Sequence, residues 1–98
     1  MNRTQKSQCR QIAEKYGIPN QERQSVSEFV ELLYVLTRRP GQRKPNWKDQ
    51  LIDEICDAEI MIQQLKTMYD ITDSEISDHI DYKLNRQLDR ISLEDDVM

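Results

Sequence analysis

The chain has 98 residues, 33% charged and 37% hydrophobic, and its net charge of -4 gives no indication of nucleic-acid binding. This length predicts one domain, residues 1–98, with a modest core. The longest apolar run, residues 32–36, is too short for a membrane span, and two cysteines make no disulfide framework, so we expect a cytoplasmic protein.

Two predicted helices precede a basic loop. The first covers residues 4–16 and ends at Gly17, with Pro19 just beyond, which is the usual punctuation of a helix C-terminus. The second covers residues 20–39 and opens at Asn20, a candidate N-cap. Its apolar residues recur at helical spacing, namely Val26, Phe29, Val30, Leu33 and Leu36.

Two more predicted helices follow the loop. The third covers residues 46–69, opens at Asn46 and is apolar on nearly every face after Leu51, which is typical of the central helix of a bundle. The fourth starts with a capping box, "TDSE" at residues 72–75, and ends near Leu93. Its apolar stripe contains Ile76, Ile80, Leu84, Leu88 and Ile91. Because no period-two alternation interrupts these patterns, the sequence predicts an all-α, four-helix fold.

Acidic pairs lie within the two most apolar predicted helices. Glu28 and Glu31 are three residues apart, and so are Glu54 and Asp57, so each pair projects from one helix face. If the helices pack side by side, four carboxylates converge, and burying them unpaired is very unfavourable. A divalent cation bound by these oxygens would remove the repulsion, which indicates Mg²⁺ or Mn²⁺. The alternative is that both pairs lie on solvated helix faces.

The two motifs, E-x-x-E and E-x-x-D separated by residues 32–53, resemble the signature of the MazG-type all-α nucleoside triphosphate pyrophosphohydrolases. This superfamily includes dimeric dUTPases and phosphoribosyl-ATP pyrophosphohydrolases. The resemblance covers about residues 12–92 and is closest to short, single-domain members from phages and bacteria. The chain departs from the family at Ser27, where many members have a second Glu, and at Ala58, where many have Val. Neither departure removes a ligand.

The resemblance implies hydrolysis of a nucleoside triphosphate to its monophosphate and pyrophosphate, with Mg²⁺ as cofactor and Mn²⁺ as a substitute. It implies that Glu28, Glu31, Glu54 and Asp57 bind the metal. Glu31 or Glu28 would orient or deprotonate the attacking water. It also implies that two basic residues of the fourth helix, Lys83 and Arg86, contact the β- and γ-phosphates. The alternative for this basic pair is a surface role, paired with Asp81 or Asp89.

Other residues have weaker claims to a function. Trp47 would stack on a nucleobase, or anchor packing at the start of a core helix, which is the commoner role. The basic residues of the loop, Arg38, Arg39, Arg43 and Lys44, would steer an anionic substrate or simply be solvated. Cys56 is predicted to be a small core residue that points away from the ligands, and His79 to lie on the surface.

The predicted second and third helices are more apolar than one copy of this size can cover. We therefore expect a homodimer, or a homotetramer built from two dimers, as the resemblance also implies. A competing hypothesis is a non-catalytic helical module that binds a nucleotide or a protein partner and retains the acidic motif. A third is a plain dimerising bundle with solvated acids.

Overall fold

The computed structural model describes residues 1–97, and within them every regular element is helical. The elements are α1 (Arg3–Tyr16), α2 (Ile18–Leu36), a 3₁₀ turn (Pro40–Gln42), α3 (Trp47–Met68) and α4 (Asp73–Val97). The predicted all-α class is therefore confirmed. None of the helices within residues 1–97 is both long and apolar enough to cross a membrane.

A single glycine separates α1 from α2. Gly17 has a φ of 83°, a conformation that glycine adopts readily, and its N–H donates to the carbonyl of Ala13 at 2.9 Å. Pro19 then occupies the first turn of α2, where its fixed φ suits a helix and its missing N–H is not needed. The prediction of Asn20 as N-cap is wrong for this reason. Asn20 lies inside α2, and its side-chain amide donates to the carbonyl of Tyr16 at 2.7 Å.

The loop-facing ends of α2 and α3 differ in detail from the prediction. The second helix ends at Leu36 rather than near Arg39, because Thr37 caps it and donates its hydroxyl to the carbonyl of Tyr34 at 2.6 Å. Asn46 does occupy the N-cap position of α3, but its side chain makes no capping hydrogen bond.

The capping box of α4 is confirmed. The N–H of Thr72 donates to the Glu75 carboxylate at 3.3 Å, and the N–H of Glu75 donates to the Thr72 hydroxyl at 3.1 Å. The helix continues through the acidic segment after Leu93 to Val97. The fourth helix therefore ends later than the predicted end near Leu93, and Met98 lies outside the described residues.

The core lies where α2 packs antiparallel to α3, with α1 against both. Gln21 donates to Gln64 at 2.7 Å at one end of this interface, and the indole N–H of Trp47 donates to the carbonyl of Val35 at 3.0 Å at the other. The buried apolar residues are Cys9, Ala13, Val35, Ala58 and Met61. The acidic motifs therefore lie midway along a packed helix pair.

In contrast, α4 packs against none of the other described helices. Within residues 1–97, its first turn is held by ion pairs of Asp73 with Lys6 of α1 and with Lys66 of α3, the latter at 2.6 Å. The radius of gyration is 17.3 Å, compared with about 13 Å for a compact chain of this length. The packed bundle of one copy thus consists of α1–α3, and α4 extends from it.

The two cysteines lie in different environments. Cys9 is buried in α1, whereas Cys56 is exposed on α3, so the prediction of Cys56 as a core residue is wrong. The buried face of α3 passes through Ala58 and Met61, and a residue two positions before Ala58 is turned about 200° away from it. His79 lies on the surface of α4, as predicted.

Candidate metal centre

Three carboxylates from two helices converge at the middle of the α2–α3 interface. One oxygen each of Glu28, Glu54 and Asp57 lies within 4.8 Å of the other two. All three side chains are half-buried. The amide of Gln24, one turn before Glu28, donates to its Oε1 at 2.8 Å and thereby orients it. Antiparallel packing thus brings the two acidic motifs together.

Glu54 is the least compensated group of this acidic cluster. Its Oε2 is buried and has no hydrogen-bond partner within the described residues. Burial raises the pKa of Glu54, and the negative charges of Asp57, Glu31, Asp53 and Glu28 raise it further. An ionised carboxylate in this position requires a positive charge nearby, which a bound cation would supply.

Glu31, the fourth predicted ligand, is not among the three carboxylates that meet. It is exposed, yet its charge contributes to the raised pKa of Glu54. Glu31 therefore lies at the solvent edge of the acidic cluster. The charge of Asp53 also raises the pKa of Glu54. The sequence analysis did not include Asp53 in the site, although its position directly before Glu54 indicated that the two charges are close.

The donor set suits a hard cation. Carboxylate oxygens are the ligands that Mg²⁺ and Mn²⁺ prefer. One oxygen each of Glu28, Glu54 and Asp57 lies within 4.8 Å of the other two, so these three carboxylates would hold such a cation between them.

A groove rich in amide side chains opens beside Glu28 and Asp57. Its polar lining comprises Tyr16, Asn20, Gln21, Arg23, Gln24, Ser27 and Gln64. The Gln21–Gln64 hydrogen bond is buried. The amide side chains recognise the polar edges of an organic molecule without adding charge, and Arg23 adds a positive charge to this lining. The sequence analysis missed these residues, because isolated amides form no motif. Gln24 alone could have been found, since its position four residues before Glu28 places the two side chains on one helix face.

Trp47 lies at the loop end of the interface. It is half-buried, its N–H is bonded to the carbonyl of Val35, and the guanidinium of Arg43 lies 3.7 Å from its ring centroid. One face of the ring is therefore already covered by a cation. These contacts favour the packing role of Trp47 over base stacking, and the stacking role stays a prediction.

Lys83 and Arg86 lie on α4, both exposed. The guanidinium of Arg86 lies 5.6 Å from the ring centroid of Tyr82, one turn earlier. Within residues 1–97, neither basic residue forms an ion pair with Asp81 or another carboxylate. Since α4 does not pack on the bundle, one copy of the chain does not bring this basic pair to the acidic cluster.

Comparison of the chain with models of protein families, with curated proteins and with solved structures finds no significant match. The MazG-type resemblance thus depends on the spacing and context of the motifs that contain Glu28, Glu31, Glu54 and Asp57.

Proposed function

We propose that this chain is a MazG-like, metal-dependent nucleoside triphosphate pyrophosphohydrolase. It would cleave between the α- and β-phosphates and release a nucleoside monophosphate and pyrophosphate, with Mg²⁺ or, in its place, Mn²⁺. The observation that carries the proposal is the buried, unpartnered Oε2 of Glu54, which lies beside carboxylates from two helices. A solvated acidic surface would have no reason to bury such an atom.

The residues divide into ligands and a base. Glu28, Glu54 and Asp57 would hold the cation, and Gln24 keeps Glu28 in position. Such a cation would neutralise charge on phosphate oxygens and lower the pKa of a coordinated water. Glu31 would orient the attacking water and accept its proton, because its carboxylate is exposed at the edge of the acidic cluster and has no hydrogen-bond partner among the described residues.

The active form is a homodimer, or a homotetramer made of two dimers. A helix with one unpartnered apolar stripe is not expected to be stable on its own in water, and α4 projects with Leu84 57% and Leu88 62% exposed. A second apolar face lies on α2, where Val26 is 63% and Leu33 62% exposed. A two-fold pairing in which each α4 covers the partner's α2 buries both faces. The same pairing offers a route by which Lys83 and Arg86 reach the partner's site.

The experiment that tests the activity is pyrophosphate release from a panel of standard and damaged ribonucleoside and deoxynucleoside triphosphates, with and without Mg²⁺. Metal-dependent formation of monophosphate is expected, and Glu54→Gln should abolish it. Glu59→Gln, the same change at an exposed position of α3, is the matched control and should leave turnover intact. Absence of turnover from a folded, assembled protein on every substrate would reject the enzyme in favour of a binding module.

A further inference from the structure

A second polar pocket lies at the loop end of the α2–α3 interface and has the opposite charge to the acidic cluster. It has a volume of about 270 Å³, and we refer to it as the basic pocket. Its polar lining comprises Tyr34, Arg38, Gln42, Lys44, Trp47 and Gln50. Among residues 1–97, none of the residues that line it is acidic. The pocket therefore offers cationic and neutral hydrogen-bond donors in a chain that is acidic overall.

The cations around this pocket are held by neutral groups. The guanidinium of Arg38 lies 4.9 Å from the ring centroid of Tyr34 and donates to its hydroxyl. Arg43 stacks on Trp47 and donates its Nε–H to the carbonyl of Arg38 at 3.0 Å. Within residues 1–97, Asp73 is the only carboxylate that forms ion pairs. No carboxylate among these residues therefore neutralises Arg38, Arg43 or Lys44. Their charge remains available to an anion.

The basic pocket continues the line of the acidic cluster along both helices. On α2, Glu31 is followed one turn later by Val35, and Arg38 comes in the turn after the helix. On α3, Glu54 is preceded one turn earlier by Gln50. With a rise of about 1.5 Å per residue, Val35 and Gln50 lie about 6 Å along the helices from these acids. A triphosphate chain and the long side chain of Arg38 together span such a distance.

We propose that the basic pocket binds the β- and γ-phosphates of the substrate, and hence the leaving pyrophosphate. This inference rests on the proposed function and gives the substrate a direction along the α2–α3 groove. The α-phosphate lies at the acidic cluster, and the terminal phosphates extend toward the loop. Arg38 provides a planar pair of donors that suits phosphate oxygens, Lys44 provides a compact charge, and Gln42 and Gln50 add amide donors.

The test is the binding of inorganic pyrophosphate to the full chain in the presence of Mg²⁺, measured by isothermal titration calorimetry. Arg38→Met and Lys44→Met should each weaken binding about tenfold or more, since each removes a charge-assisted hydrogen bond. Arg39→Met is the matched control. Arg39 is adjacent in sequence and loses the same charge, but it does not line the pocket, so its affinity for pyrophosphate should stay within about twofold of wild type. Circular dichroism verifies that each variant is folded.

Three results would overturn the inference. The first is no binding of pyrophosphate by the wild-type chain at millimolar concentration. The second is an equal loss of affinity in Arg39→Met, which would assign the effect to the general charge of the loop. The third is loss of affinity in Lys83→Met or Arg86→Met but not in Arg38→Met, which would assign the terminal phosphates to α4. Failure of the proposed function has a different signature, namely no metal-dependent hydrolysis in the panel while pyrophosphate binding follows the expected pattern.

Discussion

Gln21 of α2 and Gln64 of α3 form a buried hydrogen bond of 2.7 Å that aligns the two antiparallel helices. Glu28 follows Gln21 by seven residues, and Asp57 precedes Gln64 by seven. Two helical turns from the bond, the two acids therefore face each other. Three residues further from this bond along each helix, Glu31 follows Glu28 on α2 and Glu54 precedes Asp57 on α3. The amide pair thus sets the register that assembles the acidic cluster.

Gln64→Leu should destabilise the chain by about 1–3 kcal/mol, because it leaves the buried amide of Gln21 without its partner. The double variant Gln21→Leu/Gln64→Leu should recover most of this loss, since no polar group is then left unpaired. Urea unfolding of both single variants and the double variant gives the coupling energy. Additive effects would mean that the hydrogen bond does not couple the helices.

Glu54→Gln should raise the melting temperature of the metal-free chain at neutral pH. The folded-state pKa of Glu54 is raised by burial and by Asp57, so its ionisation opposes folding. This cost to folding is absent below pH 4.5, the pKa of Glu54 in the unfolded chain. It grows as the pH rises through the higher pKa of Glu54 in the folded chain. Thermal unfolding in a chelator between pH 4 and pH 8, with Glu59→Gln as control, measures the difference.

Added Mg²⁺ or Mn²⁺ should give wild type a higher melting temperature than Glu54→Gln at neutral pH. The cation stabilises wild type by binding only the folded state, and it should have little effect on Glu54→Gln, which lacks a ligand. Equal stabilisation of wild type and Glu54→Gln by the metal would contradict the assignment of Glu54. A melting temperature of Glu54→Gln below that of Glu59→Gln in chelator would contradict the burial penalty.

Asp73→Asn should free the first turn of α4. Lys6 and then Lys66 lower the pKa of Asp73 from 3.8 to about 2. Because the pKa of Asp73 is lower in the folded chain, the stabilisation by its ion pairs is fully present above pH 3.8. It is lost as the pH falls through about 2. Amide hydrogen exchange of this turn should accelerate in Asp73→Asn at neutral pH, and Asp78→Asn, an exposed control on α4, should exchange like wild type. Unchanged exchange in Asp73→Asn would show that other contacts hold α4.

Glu31→Gln should lower kcat about 10²–10⁴-fold, the usual contribution of a positioned general base. Its affinity for Mn²⁺, followed by electron paramagnetic resonance, should change far less than that of Asp57→Asn, since Glu31 is not among the carboxylates that meet. A loss of Mn²⁺ affinity equal to that of Asp57→Asn would make Glu31 a ligand, as the resemblance implies, and would leave the base unassigned.

Leu84→Asp/Leu88→Asp should dissociate the oligomer, because both side chains lie on the exposed stripe of α4. Size-exclusion chromatography with light scattering should give wild type at least twice the 11.7 kDa of one chain, and the variant close to one chain. Asn85→Asp adds charge to α4 without removing an apolar group and should remain assembled. A wild-type mass near that of one chain would contradict the proposed assembly.

Local patterns in the sequence determine the number of helices, the capping box at Thr72 and the two acidic pairs. Each of these depends on residues within one or two turns, where spacing alone decides which side chains are neighbours. The interpretation of Asn20 as an N-cap was wrong even locally, because α2 already begins at Ile18 and Pro19 fits its first turn.

The remaining features depend on how the helices pack. Antiparallel alignment brings Glu28, Glu54 and Asp57 together and leaves Glu31 at the edge, and the rotation of α3 about its axis exposes Cys56. The basic pocket lies where Trp47 donates its indole N–H to the carbonyl of Val35, so residues of α2, the loop and α3 line it together. Register and rotation are set by long-range contacts, which no local sequence pattern contains. Local spacing thus identified the acidic residues of the candidate site, and helix packing decided which of their carboxylates meet.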